Sequence, residues 1–344
     1  RTSLSPGEVG AWGKPADVNG DILQQDKELA NVLVNGVAQW WFDVGGNRYD
    51  DPRLMRRIGE LVKSAGLAMT VNREPVDEAA FVVDESSLNY LRVGDPMGRW
   101  LLVEQLPALH QIGAPVGHYL AEDIPLLRRH KLFIFPTSFA PSEKQRSDVD
   151  ALKRDGHVLL FLYAPGLYRN GKVDEAAMEQ FTGIRLRLTT EPALLRIRVK
   201  QGEPLVAGLE GSTYGVDHKT FPVAYADDPE ATVLGVLEDG KPGLVVKRFG
   251  HWTAVFSAAP MLPARLLRNL ARLAGVHEYV AADDVVWASR DLVAVSVREG
   301  GPRTIRLPRK ADVIDLYSGA EIAAGVEEFT VDFLPLATRV FVLR

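Results

Sequence analysis

The hydrophobic positions in the first 70 residues follow a helix–strand–helix pattern. Apolar side chains recur three and four positions apart over residues 26–39, which predicts a helix. An aromatic run at 39–44 predicts a short strand, and Asp51-Pro52 predicts the start of a second helix that continues to about residue 65. Because one strand cannot form a sheet, we expect this segment to complete a sheet whose other strands lie elsewhere.

From residue 78 onward, predicted strands and helices alternate. Predicted strands lie at 79–83, 116–120, 131–136 and 157–163, and predicted helices at 97–113, 142–154 and 174–182. The continuous apolar run at 132–135 is typical of a parallel strand that is buried on both faces. The alternation predicts an α/β fold with a doubly wound parallel sheet.

The last 160 residues have the short, evenly spaced strands of antiparallel structure. Predicted strands lie at 194–199, 223–225, 232–237, 243–249 and 252–257, followed by a helix at 263–274. From residue 283 further strands are predicted at 285–288, 292–297, 303–307, 312–315, 328–333 and 338–343. Hairpin-like spacing in this final part predicts a small antiparallel β-sandwich.

Amino-acid composition and net charge limit the classes of fold and of binding partner. The 344 residues correspond to two or three domains, and the net charge of −5 lacks the basic excess of nucleic-acid readers. A hydrophobic content of 46% excludes disorder of the whole chain. No apolar run approaches the ~18 residues of a membrane helix. The sequence contains no Cys, which leaves the compartment open and favours the cytoplasm slightly over the periplasm.

Motifs for metals, cofactors and nucleophiles are missing from the sequence. The seven histidines are scattered without helical spacing, and no glycine-rich phosphate loop or Gly-x-Ser-x-Gly run occurs. The turn at 162–166, after the fourth predicted parallel strand, has no thiol and no hydroxyl beside a base. We therefore expect no metal, no cofactor and a structural or interfacial role for the parallel-sheet region.

The run Trp40-Trp41-Phe42-Asp43 is the most informative local feature. Aromatic rings offer broad apolar contact to sugar faces, and a carboxylate at the end of the same strand can accept hydrogen bonds from sugar hydroxyls. The alternative is that three core aromatic residues precede a capping or ion-pairing Asp. Both interpretations remain open from the residues alone.

Polar residues near this run are further candidates. Asn47 and Tyr49 are candidate subsite residues, whereas Asp51 is better explained as a helix cap. Glu8 is a weak candidate for one of a catalytic carboxylate pair, because retaining glycosidases need two carboxyls about 5 Å apart. Nothing in the sequence places Glu8 beside Asp43.

Five segments together resemble glycoside hydrolase family 42 β-galactosidases and their relatives. Residues 31–43 are similar to the last helix–strand unit of the catalytic barrel, and 130–139 with 155–166 are similar to the trimerisation domain. Residues 286–289 and 313–319 are similar to the small C-terminal β domain. The resemblance implies the C-terminal end of a (β/α)8 barrel in 1–72, a flavodoxin-like, class I glutamine amidotransferase-like trimerisation domain in 75–280 and a β-sandwich in 283–344.

The resemblance also implies an activity and a site. In the family, two glutamates after the fourth and seventh barrel strands perform retaining hydrolysis, and both would precede Arg1 in this numbering. The resemblance carries over Trp40, Trp41 and Asp43 as substrate-binding residues at the end of the eighth strand, and it places Arg1 just past the seventh strand. Asn47 and Tyr49 remain candidates for substrate binding from their position on the following loop. The implied partners are a carbohydrate substrate, a missing N-terminal barrel half and two further copies in a homotrimer.

Two other functions remain possible from the sequence. The chain could be a non-catalytic carbohydrate-binding or assembly module without a complete barrel, which predicts that 26–65 docks on the parallel sheet with its apolar faces covered. A flavin or nucleotide binder built on the parallel sheet is a more remote alternative, since no phosphate-binding motif supports it.

Overall fold

The structure is a computed structural model that describes residues 15, 17–41 and 49–344. The described chain forms two compact units. The first unit joins the residues up to Val76 with Gly113–Pro115 and Tyr279–Arg344, and the second contains Asp77–Ile112 and Val116–Glu278. The N-terminal helices therefore belong with the C-terminal strands, a grouping that the sequence did not predict.

The α-helices, in chain order, are α1 (Val18–Val34), α2 (Pro52–Ala68), α3 (Met97–Arg99), α4 (Leu106–Leu109), α5 (Glu143–Asp150), α6 (Glu175–Thr182) and α7 (Ala264–Leu273). Short 3-10 helices lie at Ser86–Tyr90, Ala121–Leu126 and Pro204–Val206, and a π-helical turn at Trp100–Glu104. Among the residues that the structure describes, none of these helices combines the length and apolar character needed to cross a bilayer.

The strands of the second unit, in chain order, are β1 (Ala79–Val83), β2 (Val116–Leu120), β3 (Leu132–Phe135), β4 (His157–Leu162), β5 (Tyr168–Arg169), β6 (Lys172–Val173), β7 (Leu186–Leu188), β8 (Ala193–Val199), β9 (Thr213–Thr220), β10 (Ala224–Ala226), β11 (Thr232–Val236), β12 (Pro242–Arg248) and β13 (Trp252–Ser257). Those of the first unit are β14 (Val285–Ala288), β15 (Leu292–Ser296), β16 (Gly301–Asp315), β17 (Glu321–Phe333) and β18 (Thr338–Leu343).

A mixed nine-stranded sheet organises the second unit. Its order is β2-β1-β3-β4-β13-β12-β11-β8-β9, with parallel pairing from β2 to β13 and antiparallel pairing from β13 to β9. The predicted parallel strands and the later antiparallel ones are confirmed. Their apolar runs are explained by burial, since Phe81, Phe133, Phe161 and Phe256 are almost completely inaccessible to solvent.

The first unit contains a five-stranded antiparallel sheet in the order β14-β15-β18-β16-β17. The predicted antiparallel arrangement is confirmed, but the strands form one hydrogen-bonded sheet rather than the two of a β-sandwich. A break in register between Arg306 and Ala311 divides the long β16–β17 ribbon. Residues from both sides of this break, including Ile305 and Val313, enter one core with Phe341. The sheet thus forms a core on this face, to which Tyr279 and Val280 from the segment before β14 also contribute.

Helices α1 and α2 cover the other face of that sheet. Leu29, Leu33 and Leu61 from the helices pack in one cluster with Leu292 and Val340 from the strands. The apolar faces of the helix pair that meet this sheet are therefore covered within the first unit. The non-catalytic alternative expected this pair on the parallel sheet, whereas in the described residues it packs on the antiparallel sheet of its own unit.

A polar clamp fixes the two helices to each other. The guanidinium of Arg57 on α2 donates to the buried carboxylate of Asp26 on α1 over 2.7 Å and lies 5.0 Å from the ring centre of Tyr317. The Tyr317 hydroxyl donates to the carbonyl of Asp26 over 2.7 Å. These contacts hold both helices to the loop that follows β16, in addition to their packing on the antiparallel sheet.

Three predicted elements differ from the structure. Helix α1 begins eight residues earlier than predicted, because Asp17 caps it by accepting a hydrogen bond from the backbone of Gly20. The single predicted helix at 97–113 is broken into α3, a π-helical turn and α4, where Pro107 has no N–H to continue the ladder. The described part of the predicted aromatic strand, residues 39–41, is irregular.

Candidate functional site

The two tryptophans that follow α1 have different surroundings. The indole Nε1–H of Trp41 donates to the side-chain oxygen of buried Gln25 over 2.5 Å, and Trp41 is half-buried. The ring of Trp40 is 72% exposed. The core interpretation of the aromatic run therefore does not hold for Trp40, and Trp41 is fixed on α1 by its polar edge.

The other candidates near this run are described only in part. Tyr49 is half-buried where the described chain resumes. Asp51 caps α2, as predicted: its carboxylate accepts the backbone N–H of Arg53 at 2.8 Å and pairs with the Arg53 guanidinium. These Arg53 hydrogen bonds lower the pKa of Asp51 to about 2. The candidates Arg1, Glu8, Asp43 and Asn47 lie outside the described residues.

The carboxyl ends of β1 and β3 form the position where open α/β sheets usually bind ligands, since the chain passes to opposite sides of β1 there. Asp84 follows β1 and is 2% exposed. Its carboxylate accepts hydrogen bonds from the hydroxyls of Ser86 and Ser87 and, at 3.3 Å, from Gln145. These contacts within the unit use the carboxylate to order the loop, which agrees with a structural role for this edge.

The turn after β4 has a backbone feature that the sequence does not indicate. Tyr163 has a φ of +64°, in the left-handed region that residues other than glycine seldom adopt. Its ring packs edge-on against Phe139, and its hydroxyl donates to the carbonyl of Pro222 at 3.4 Å. Burial raises the pKa of the Tyr163 hydroxyl. The turn thus presents a neutral phenol where amidotransferase-like folds would need a nucleophile.

A buried polar cluster lies at the opposite, amino edge of the parallel strands. The carboxylate of Asp77, just before β1, accepts hydrogen bonds from Nε2 of His130 at 2.7 Å, the hydroxyl of Tyr119 at 2.6 Å and the guanidinium of Arg129 at 2.8 Å. Arg129 also donates to the carbonyl of Asp77 at 2.9 Å. We call these four residues the Asp77 cluster.

The electrostatics of the Asp77 cluster favour a charged carboxylate. Burial alone would raise the pKa of Asp77, but the hydrogen bonds from His130, Tyr119 and Arg129 outweigh it and hold the pKa well below its usual range. Burial and the adjacent carboxylate raise the pKa of Tyr119, so its hydroxyl keeps its proton. The charged carboxylate, with Tyr119 and Arg129 as neutral and cationic donors, orders the sheet edge. Nδ1 of His130 is buried without a hydrogen-bond partner among the described residues.

Sequence reasoning missed the Asp77 cluster. One signal was available: Asp77 lies two residues before a predicted parallel strand and His130 one residue before another, and the amino ends of neighbouring parallel strands meet at one edge. Close packing adds Gly117, since a Cβ built there would lie 2.1 Å from the carboxylate oxygen of Asp77. Among the described residues, no group of three or more His, Asp and Glu side chains could hold a metal ion.

Comparisons with known proteins identify the class of fold. No family model and no curated protein matches the sequence. The chain is similar in fold to solved glycoside hydrolases. The β-galactosidase from Bacillus circulans sp. alkalophilus has a TM-score of 0.60 and 16% identity, over 85% of this chain and 45% of that chain.

Two further solved structures are similar to this chain in fold. A catalytic mutant of Gan42B, a GH42 β-galactosidase from G. stearothermophilus, has a TM-score of 0.58 and 18% identity, over 87% of this chain and 45% of that one. The α-L-fucosidase isoenzyme 2 from Paenibacillus thiaminolyticus has a TM-score of 0.56 and 14% identity, over 98% of this chain and 59% of that one.

These similarities show the fold. The resemblance to family 42 β-galactosidases that the sequence suggested is confirmed at that level, and the match is consistent with a C-terminal portion of their fold. The chain spans less than half the length of these β-galactosidases.

Proposed function

We propose that this chain is the C-terminal portion of a β-galactosidase-like glycoside hydrolase. The observation that supports it best is the shared fold over 85% of this chain and 45% of a solved β-galactosidase. In this proposal the enzyme hydrolyses a glycosidic bond with retention, and its two catalytic glutamates come from residues before Arg1. In this proposal the chain contributes a wall of the sugar pocket and the domains that assemble the enzyme.

The proposed pocket wall consists of Trp40, Trp41, Asp43, Asn47, Tyr49 and Arg1. Trp40 offers an exposed ring for the apolar face of a sugar, while Trp41 is held in place by Gln25. One tryptophan therefore makes the contact and the other orients the segment that carries it.

An uncovered apolar stripe on α2 supports a larger assembly. Met55, Val62 and Met69 lie seven residues apart and are 49%, 52% and 65% exposed. Gly59 and Gly66 lie between them, and a Cβ built at either would meet no atom within 4 Å. Helix α2 thus packs one face on the sheet of the first unit and presents a second apolar face. In this proposal further β/α units of a barrel pack on that second face.

Hydrolysis of a panel of aryl glycosides, β-galactoside included, tests the activity. The chain alone is expected to show no turnover, and turnover is expected when it is produced together with the segment that precedes it. Turnover by the chain alone that is lost in Glu8→Gln or Asp43→Asn would place the catalytic carboxylates within these residues and overturn the assignment.

The sugar contact is tested by replacing Trp40 in the complete, active protein. Trp40→Ala is expected to raise KM by about tenfold, because stacking on one aromatic ring contributes roughly 1–1.5 kcal/mol. Phe221→Ala is the matched control, since Phe221 is another exposed aromatic side chain, at 56%, in the second unit. An unchanged KM in Trp40→Ala would remove Trp40 from the pocket.

The second candidate is a non-catalytic carbohydrate-binding or assembly module. The covered apolar face of the helix pair favours it, because α1 and α2 find a packing partner without any barrel. Calorimetric titration of the chain with galactose and short galactosides separates the two candidates. Saturable binding by the chain alone supports the module, whereas binding only in the complete protein supports the enzyme.

The proposed assembly is a homotrimer formed through the second unit. Light scattering coupled to gel filtration measures it directly. A mass near three times 37.9 kDa is expected at micromolar concentration, and a stable monomer would refute the trimer.

A further inference from the structure

Two histidines of the second unit point their Nε2 atoms at each other. His110 directly follows α4, and His118 lies within β2. Their Nε2 atoms are 3.1 Å apart, and their ring centres are 5.1 Å apart with 32° between the ring planes. We propose that His110 and His118 form a two-histidine binding site for a divalent transition-metal ion such as Zn²⁺, Ni²⁺ or Cu²⁺.

The separation of the two nitrogens fits shared coordination. With metal–nitrogen bonds of about 2.05 Å, a distance of 3.1 Å corresponds to an angle of about 98° at the metal. This angle lies between those of a square or octahedral pair and a tetrahedral pair of ligands. The two nitrogens are therefore close enough, at their present separation, to bind one ion together.

The protonation state of the pair also suits a metal. Burial, with a smaller contribution from His118, lowers the pKa of His110 to about 4, so this imidazole is neutral at physiological pH. Neutral imidazole is the form that binds metals. Without a metal, one Nε2 must donate its proton to the other, and an ion replaces that shared proton.

His110 limits the affinity of the site. Its Nδ1 atom is buried and has no hydrogen-bond partner among the described residues. When Nε2 binds a metal, Nδ1 must carry the proton, and metal-bound histidines normally donate this proton to an acceptor. We therefore expect reversible binding of moderate strength and not a permanent structural ion.

The surroundings leave the site open to solvent and hold the ring of His118 in place. His118 is solvent-exposed, and its ring rests edge-on against buried Phe81 on the neighbouring strand β1. The described residues offer no third His, Asp or Glu ligand at this point, so water would complete the coordination shell. Two imidazoles and water suit zinc, nickel and copper, whereas magnesium and calcium prefer oxygen ligands.

Isothermal titration with NiCl₂ and ZnCl₂ tests the site at pH 7.5. The chain must carry no polyhistidine tag and must first be treated with EDTA. One equivalent is expected to bind, with at least tenfold weaker binding in His110→Gln and in His118→Gln. MgCl₂ is expected not to bind, and binding of Ni²⁺ is expected to fall as acid protonates the imidazoles.

His251→Gln is the matched control, because His251 is an exposed histidine in a turn before β13. Its affinity for Ni²⁺ should stay within twofold of that of the unmodified chain. Thermal melting in EDTA checks that the variants fold, and added Zn²⁺ should raise the melting temperature of the unmodified chain but not that of His118→Gln. Absence of Ni²⁺ and Zn²⁺ binding, or binding that persists in His118→Gln, would overturn the proposal.

Discussion

The Asp77 cluster gives the most decisive test of how the second unit is stabilised. Asp77→Asn keeps the shape of the side chain and removes its charge. The side chains of Asp77 and His130 are 7% and 1% exposed, so water cannot replace the lost interaction. Charge-assisted hydrogen bonds contribute about 1.5–3 kcal/mol each and neutral ones about 1 kcal/mol. Weakening these three hydrogen bonds is therefore expected to lower the free energy of unfolding by about 3 kcal/mol.

The stability lost in Asp77→Asn should become smaller as the solution becomes more acidic. The pKa of Asp77 in the folded protein lies below its usual value of 3.8, so the unfolded chain takes up this proton first as the pH falls. The stabilisation is fully present above about pH 4 and declines as the pH falls toward the folded pKa. The difference between the unmodified chain and Asp77→Asn should be constant from about pH 5 to 7 and narrow in more acidic solution.

Hydrogen exchange read by mass spectrometry is the appropriate assay, because it reports on each unit separately. Peptides that cover β1 and β3 follow the sheet edge. Asp217→Asn is the matched control: Asp217 pairs with Arg196 at 2.7 Å, but the two side chains are 79% and 39% exposed. Such a pair contributes less than about 1 kcal/mol. Equal, small effects of both substitutions would refute the argument that burial makes the Asp77 cluster stabilising.

Three further predictions can be checked by thermal or urea unfolding. Leu61→Ala should cost about 3 kcal/mol because Leu61 is fully buried, whereas Val62→Ala, at a 52% exposed position, should cost less than about 0.5 kcal/mol. Gly117→Ala should destabilise by more than about 1 kcal/mol through its clash, whereas Gly59→Ala, in open space on α2, should stabilise by up to about 1 kcal/mol. Ser142→Ala should cost about 1 kcal/mol by removing the capping box of α5, and an unchanged midpoint would contradict that role.

Sequence patterns predicted the buried strands well and the exposed ones poorly. The bounds of β1 and β13 are those expected from their apolar runs, because both strands lie inside the sheet and are buried on both faces. Strand β9 was missed. It forms the edge of the sheet, and its residues Thr213–Thr220 are largely polar, so their pairing depends on β8 and leaves little hydrophobic signal.

The candidate site shows the same division between local and long-range information. The cap at Asp51 was predicted, since an Asp-Pro pair acts on its own helix. The Asp77 cluster was not, because Asp77 and His130 are 53 residues apart and meet only through the register of β1 with β3. The packing of α1 on the C-terminal sheet likewise could not be predicted, since the apolar face of a helix is compatible with any apolar surface.

The two faces of α2 reconcile the enzyme and module interpretations of the first unit. Leu61 is fully buried in the cluster with strands β15 and β18, so this face is covered by the first unit itself. Met55 and Val62 are about half exposed on another face of the same helix. Because one face of α2 packs within the first unit, the helix can fold without a barrel. Its second apolar face remains available for barrel elements to pack on. Folding of the chain alone is therefore compatible with both interpretations, and only activity and sugar binding separate them.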